Sequence, residues 1–209
     1  MNKKLAIIGA GGHAKVVLDT ALLMNRWTSI VFLDDFHNGK TEFMGFPLLG
    51  SCNLLGLHIK PDEYDIALGL GGNDIRARRL IEAEQLGFRL PCIVHPTAVV
   101  SRFAEIGAGT VLFAHSAVNA GATVGKGVII NTSATIDHDC ELADFVHISP
   151  GVHLAGNTRV GTFSWLGIGS CTRQGTVIGA GCTVGAGSAI VKDIPDGVTA
   201  VGVPARIKM

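Results

Sequence analysis

The stretch from Ala122 to Leu154, ATVGKGVIINTSATIDHDCELADFVHISPGVHL, decides the fold. Cut into sixes from Ala122, it puts Val124, Ile130, Ile136, Leu142, Ile148 and Leu154 at the third position. Ala122, Val128, Ala134, Cys140, Val146 and Val152 stand at the first. Outward from here the register holds from Val100 to Ile190, aliphatic at fifteen of sixteen third positions, with only Thr172 out of line. Glycine often follows the aliphatic residue, as at Gly107, Gly125, Gly161, Gly167, Gly179 and Gly185.

A period of six is neither the 3.6 of a helix nor the 2 of a lone strand; it marks short straight segments joined by turns at fixed intervals. Three segments make a triangular coil of about 18 residues, with aliphatic side chains stacked inside and glycine or asparagine taking the left-handed backbone of the corners. About five coils fit the stretch. A sandwich of alternating strands would not keep one phase over such a length.

Composition narrows the function. The 209 residues carry 17 basic and 17 acidic side chains with no long run of one sign, which argues against a nucleic-acid-binding surface. No segment approaches the ~20 uninterrupted apolar residues of a spanning helix. Met1 to Lys4 followed by Leu5 to Ile8 has the look of a signal peptide, but Gly9 to His13 cut the apolar run short. The run therefore reads as a buried strand, and the expected compartment is the cytoplasm. Cys52, Cys92, Cys140, Cys171 and Cys182 are odd in number and form no C-x-x-C pair, so neither a disulfide framework nor a metal site is expected. Cys140 and Cys182 occupy the small inward position of the repeat, where a thiol is a compact apolar filler.

Before the repeat, apolar runs alternate with helical patterns. Leu5 to Ile8 lead into Gly9-Ala10-Gly11-Gly12-His13-Ala14 and a helix carrying Val16, Val17 and Leu18; Gly9, Gly11 and Ala14 fit a G-x-G-x-x-A phosphate-binding turn. Ile30 to Leu33 end in Asp34-Asp35, placed to accept hydrogen bonds from a ribose or base edge. Asp65 to Leu68 end in Gly69-Leu70-Gly71-Gly72-Asn73, after which Asp74 is expected to cap a second helix stopped by Gly87. This is a small parallel α/β domain, a Rossmann-like half, with three loops meeting at the C-terminal ends of its strands. It is too short for two mononucleotide-binding halves, so one nucleotide carrying a sugar toward the solenoid fits better than the competing reading, an NAD-dependent oxidoreductase. Pro91 and Pro96 mark the boundary, dividing the chain into residues 1–94, the nucleotide-sugar-binding domain, and residues 95–209, the β-helix with its C-terminal cap.

The chemistry gathers in Asn131 to Cys140, with His147 and His153 beyond. Carboxylates flank His138 on both sides, and a neighbouring carboxylate holds one ring nitrogen protonated while leaving the other a better base. One coil separates His138 from Gly156, which stacks the two about 4.8 Å apart. A base beside a side-chain-free N–H suits attack on a thioester, the N–H receiving the oxyanion.

The order GAGGH, FLDDF, a glycine-rich third loop and NTSATIDHDC followed by His147 resembles the hexapeptide-repeat, left-handed β-helix nucleotide-sugar N-acetyltransferases of the bacterial bacillosamine-pathway type, over essentially the whole chain. The resemblance implies a left-handed parallel β-helix, a homotrimer, and acetyl-CoA bound between neighbouring helices without a metal. It implies acetyl transfer to the 4-amino group of a UDP-linked 4-amino-4,6-dideoxy sugar in glycan biosynthesis. His138 falls in the family's I-x-H-[DE]-C segment as the general base, with Asp139 raising its basicity. Gly11, Gly12, His13, Asp34, Asp35 and Gly71 would contact the UDP-sugar; His147, Ile168, Gly185 and Ala186 would line the acetyl-CoA groove, with Gly156 near the thioester. The tail Val201-Gly202-Val203-Pro204-Ala205 would cap the last coil, with Arg206 and Lys208 beyond it, near a phosphate of coenzyme A. Two departures stand out: an extra Gly-Leu before Gly71-Gly72, and Ala186 where the family commonly has glycine. Competing readings are an O-acetyltransferase of sialic acid, an N-acetyltransferase of a GDP-linked amino sugar, and a non-catalytic sugar-nucleotide scaffold. Neither nucleic acid nor membrane is an expected partner.

Overall fold

The computed structural model describes residues 3–208. Strand β1 (Lys4–Ile8) lies between β2 (Ile30–Leu33) and, after a small hairpin of β3 (Glu42–Phe43) and β4 (Phe46–Pro47), β5 (Tyr64–Leu68), all three long strands parallel. Each is buried along nearly its whole length, the signature of a parallel sheet covered on both faces. Helix α1 (Gly12–Met24) follows β1 and α2 (Asn73–Gln85) follows β5. Contrary to the sequence reading, α2 is capped by Gly72 and not by Asp74, which sits in its first turn. No side chain caps it, so its first N–H groups remain available.

From Ile93 the chain winds into a parallel β-helix of two-residue strands with three faces. The first face runs from Ile93–Val94 through Ile129–Ile130, His147–Ile148, Trp165–Leu166 and Thr183–Val184, and is closed by Thr199–Val201 and the antiparallel Arg206–Ile207. The second runs from Val99–Val100 to Ala189–Ile190, and the third from Glu105–Ile106 to Val177–Ile178. With the first face beginning before the aliphatic stretch and closing after it, the helix makes about six coils, one more than that stretch indicates. The excess lies at the ends: Ile93–Val94 pairs with Val111–Leu112 and Thr199–Ala200 with Thr183–Val184, although neither carries the full repeat.

Inside, the aliphatic residues stack as expected, Ile130, Ile136, Ile148 and Leu166 all at 0% exposure. Ile148→Ala removes atoms that neighbouring coils cannot close around, and should cost about 2–5 kcal/mol, read as a lower unfolding midpoint in denaturant. Thr110, Ser164 and Thr176 also point inward, their hydroxyls donating to corner carbonyls of Gly125, Gly179 and Arg173. The corners differ from expectation. Left-handed backbone recurs every six residues, but at Ser133, Asp139, Phe145, Asn157 and Phe163 as well as at glycines further along each turn. The glycines that follow the aliphatic residue serve another need. A Cβ at Gly167 would sit 2.7 Å from the Ala186 backbone nitrogen, so they are small because coils touch there.

The α/β domain docks on the first face. Ile93, Val111, Phe113 and Ile129 share a core with α1 and β1, while Phe145, at the corner between the third and first faces, joins the cluster containing Leu80 of α2. This docking brings the loops at the sheet's C-terminal end against the middle coils.

Candidate functional site

His138 stands at the corner between the second and third faces, half exposed. Its Nδ1 donates to Asp139 Oδ2 at 2.8 Å, leaving Nε2 as the free base. Asp139 takes the left-handed turn position (φ 58°), which Asp tolerates better than most residues and which turns its carboxylate back to the ring. Asp137 is tied down by Asn119 Nδ2 at 2.9 Å and the His138 N–H at 2.8 Å, bonds that lower its pKa. The bond to Asp139, with the charges of Asp137 and Asp139, raises the His138 pKa above the ordinary histidine value.

The next coil supplies the ring's neighbour. The Asn157 N–H donates to the His138 carbonyl at 2.9 Å, and a Cβ on Gly156 would lie 2.5 Å from His138 Nε2. The Ala155 carbonyl accepts from Thr158 Oγ1 at 2.6 Å and from Cys140 Sγ, both inward-facing side chains. Because N–H and C=O of a trans peptide point in opposite directions, the Gly156 N–H is turned outward. No acceptor among the described residues takes it. Thr172, the one lapse in the repeat, accepts the Ala155 N–H at 3.0 Å. Its hydroxyl also lies 3.0 Å from Thr158 Oγ1, the donor to the Ala155 carbonyl, so the break braces the peptide that carries the Gly156 N–H.

A second site lies on the first face. Trp165 stacks on His147, ring centroids 5.6 Å apart and planes at 15°, with its Nε1 donating to Ser149 Oγ at 2.8 Å. On one side of this pair His147, Pro150, Ile168, Val184 and Ala186 line a groove of about 440 Å³. On the other, Gly71, Gly72, Asn73, Phe163 and Gly181 line one of about 460 Å³ that reaches the α/β domain. Both are small enough to be subsites of one ligand-binding cleft. An apolar wall with few polar groups fits a pantetheine chain, and His147 Nε2 is buried without a hydrogen-bond partner among the described residues.

After β1, Gly11 and Gly12 are exposed, and a Cβ on either would meet nothing within 4 Å, leaving room over the start of α1. Gly71 comes within reach of His13, 4.0 Å from a would-be Cβ to the His13 Cβ. His13 turns its ring edge to Phe113 and lies 6.5 Å from the His147 ring. Burial, with His147 and Arg76 nearby, lowers its pKa to about 3; burial and Arg76 take His147 to about 4. Both rings are neutral at physiological pH.

Of the residues expected at the acetyl-CoA groove, His147, Ile168 and Ala186 come together; Gly185 lies instead beneath the capping strand, its would-be Cβ 2.8 Å from Val201 Cγ1. Gly156 belongs to the His138 corner, and neither groove on the first face is lined by His138 or Gly156. Asp34 and Asp35 are engaged within the protein. Asp34 accepts the Ala10 N–H at 2.6 Å and the Phe36 N–H at 2.7 Å, while Asp35 accepts the Cys52 N–H and pairs with Arg79. They brace the loops first. Sequence reasoning missed Trp165, although it falls one coil after His147, and missed Arg76, whose burial no local pattern announces.

A parallel β-helix with an exposed His-carboxylate corner and an apolar groove on another face defines a hexapeptide-repeat acyltransferase. Comparisons with known proteins agree. A family described as the PglD N-terminal domain matches residues 4–82. The chain is 28% identical to GDP-perosamine N-acetyltransferase of Escherichia coli O157:H7, across 96% of this chain and 94% of that one. It is 36% identical to UDP-N-acetylbacillosamine N-acetyltransferase of Bacillus subtilis over 54% of this chain and 52% of the other. The solved acetyltransferase domain of PglB from Neisseria gonorrhoeae FA1090, in complex with acetyl coenzyme A, is 50% identical with a TM-score of 0.96, covering 100% of both chains. The chain belongs to the hexapeptide-repeat nucleotide-sugar N-acetyltransferases and is an acetyl-CoA-dependent sugar N-acetyltransferase.

Proposed function

We propose that the enzyme acetylates the 4-amino group of a UDP-linked 4-amino-4,6-dideoxy sugar in bacterial glycan biosynthesis, with His138 as general base. The observation that carries the reading is the placement of His138 Nε2 against Gly156, whose outward N–H is free. The sugar amine attacks the thioester carbonyl carbon while Nε2 takes its proton; the new C–N bond forms, the C–S bond breaks, and coenzyme A leaves as the thiolate. The Gly156 N–H receives the oxyanion on the way. In this reading residues 1–94 hold the nucleotide and residues 95–209 hold acetyl-CoA and supply the base. We place the enzyme in the cytoplasm, where its five unpaired cysteines meet a reducing pool.

The base and the groove lie at different corners of one chain, so the complete site needs a second copy. The second face lies between those corners and presents Val99, Ala117, Thr135, His153, Cys171 and Ala189, without a formal charge at neutral histidine. The third face instead carries Glu105 and the Glu141–Arg159 ion pair. Three copies meeting on their second faces would set the His138 corner of one beside the groove of the next, which supports a homotrimer.

Release of coenzyme A thiol tests the reaction, with a UDP-4-amino sugar, a GDP-4-amino sugar and free sialic acid offered as acceptors. Release confined to the UDP compound is the expected result; release confined to another acceptor overturns the nucleotide assignment and keeps the chemistry. The GDP-linked amino sugar is the second reading, favoured by the near full-length likeness to the GDP-perosamine enzyme. For the groove, Trp165→Ala should raise the KM for acetyl-CoA about tenfold, the loss of one aromatic contact. Acetyl-CoA should quench the tryptophan fluorescence of the wild type and leave that of the variant, from Trp27, unchanged.

A further inference from the structure

Arg76 is buried to 1% exposure, yet no carboxylate among the described residues answers it. Its five N–H donors all meet neutral acceptors. Nε donates to the Gly127 carbonyl at 2.7 Å, Nη1 to the Leu70 and Gly71 carbonyls at 3.3 and 2.9 Å, and Nη2 to Asn73 Oδ1 and the Phe145 carbonyl at 2.9 and 3.0 Å. Desolvation of a charge is costly unless it is paired or fully hydrogen-bonded, and here the bonding is complete while the charge is uncompensated. Two of the bonds go to successive carbonyls of the third loop. Drawing the Leu70 and Gly71 carbonyls inward turns the N–H groups of Gly71 and Gly72 the other way. Neither N–H has an acceptor among the described residues, and both glycines line the groove that runs on to His147.

We propose that Arg76 is a positioning residue for the diphosphate of the nucleotide sugar: it sets the Gly71 and Gly72 N–H groups to face the phosphates and places an unpaired positive charge beneath them. The role rests on the reading that the nucleotide binds at the strand-end loops. Backbone N–H groups backed by a cation make an anion-binding concavity. The opposing charge on the same rim is Asp74, in the first turn of α2. The arrangement also accounts for the extra Gly-Leu of the third loop, since Leu70 supplies one of the pinned carbonyls and packs its side chain against Gly9.

The test is calorimetric titration of UDP, GDP and acetyl-CoA into the wild type, Arg76→Lys and Arg76→Gln. Arg76→Gln should weaken whichever diphosphate the wild type binds by about tenfold or more, and flatten the salt dependence of that binding. Arg76→Lys, which keeps the charge, should lose less, and acetyl-CoA affinity should stay within about twofold in both. A residue that merely braces the two domains would weaken all three ligands together, in step with a lower melting temperature in both variants, and that result overturns the proposal. Should Arg76→Gln fail to fold, the wild type still decides: amide protons of Gly71 and Gly72 shift downfield on adding UDP or GDP, and unmoved amides overturn the role. Wild type binding GDP and not UDP would change the nucleotide assignment while leaving the Arg76 comparison intact.

Discussion

His138→Ala should lower kcat about 10²–10⁴-fold, the range that a positioned general base contributes, with the fold retained because the side chain is half exposed at a corner. The pH dependence carries the sharper content. The base works deprotonated, so kcat/KM rises as pH climbs through the His138 pKa, which the bond to Asp139 holds above the usual histidine value. Asp139→Asn removes the carboxylate, so the midpoint moves toward lower pH and the plateau falls as the remaining imidazole becomes a weaker base. Rates measured across the pH range with an acceptor the wild type uses would show this. Full activity in His138→Ala removes the base assignment altogether.

Gly156→Ala should cost about 10²-fold in turnover, the scale of a misplacement of the reacting groups by about 1 Å. A methyl group here would lie 2.5 Å from His138 Nε2, and the ring must swing away to admit it. Gly156 is not among the residues with left-handed backbone, so alanine fits its conformation and the melting temperature should hardly change. Loss of rate with an unchanged melting curve distinguishes this from a packing defect. Equal loss of stability and rate would mean that Gly156 is small only to let coils approach, as Gly167 is.

The β-helix was legible because its period lies in side chains that must point inward, and one aliphatic residue in six cannot be hidden by surface variation. Its ends were less so, since Ile93–Val94 and Thr199–Val201 pair through their backbones without repeating the pattern. The His138 corner was visible for a related reason: equal spacing along the chain becomes adjacency between coils, so Asp137, His138, Asp139 and Gly156 could be placed from numbers alone. The α/β loops resisted. A carboxylate at the end of β2 announces a polar site in sequence, but not that Ala10, Phe36 and Cys52 N–H groups and Arg79 already engage it. Arg76 was invisible because it is one of three arginines in α2, any of which reads as solvated, and only docking on the Gly127 and Phe145 carbonyls takes it out of water.

The stacked coils also act as a ruler. Each turn of the helix advances by one strand spacing, about 4.8 Å, so any corner residue sits at a height fixed by counting. The α/β domain is clamped at one level by Gly127 and Phe145, and His138 is held on the same stretch of coils by the Asn157 N–H. Moving a histidine by 18 residues would carry it one graduation along the axis while the strand-end loops stay put. Under the proposed function, an acceptor's reach from its diphosphate to its amine becomes a property that can be set in steps.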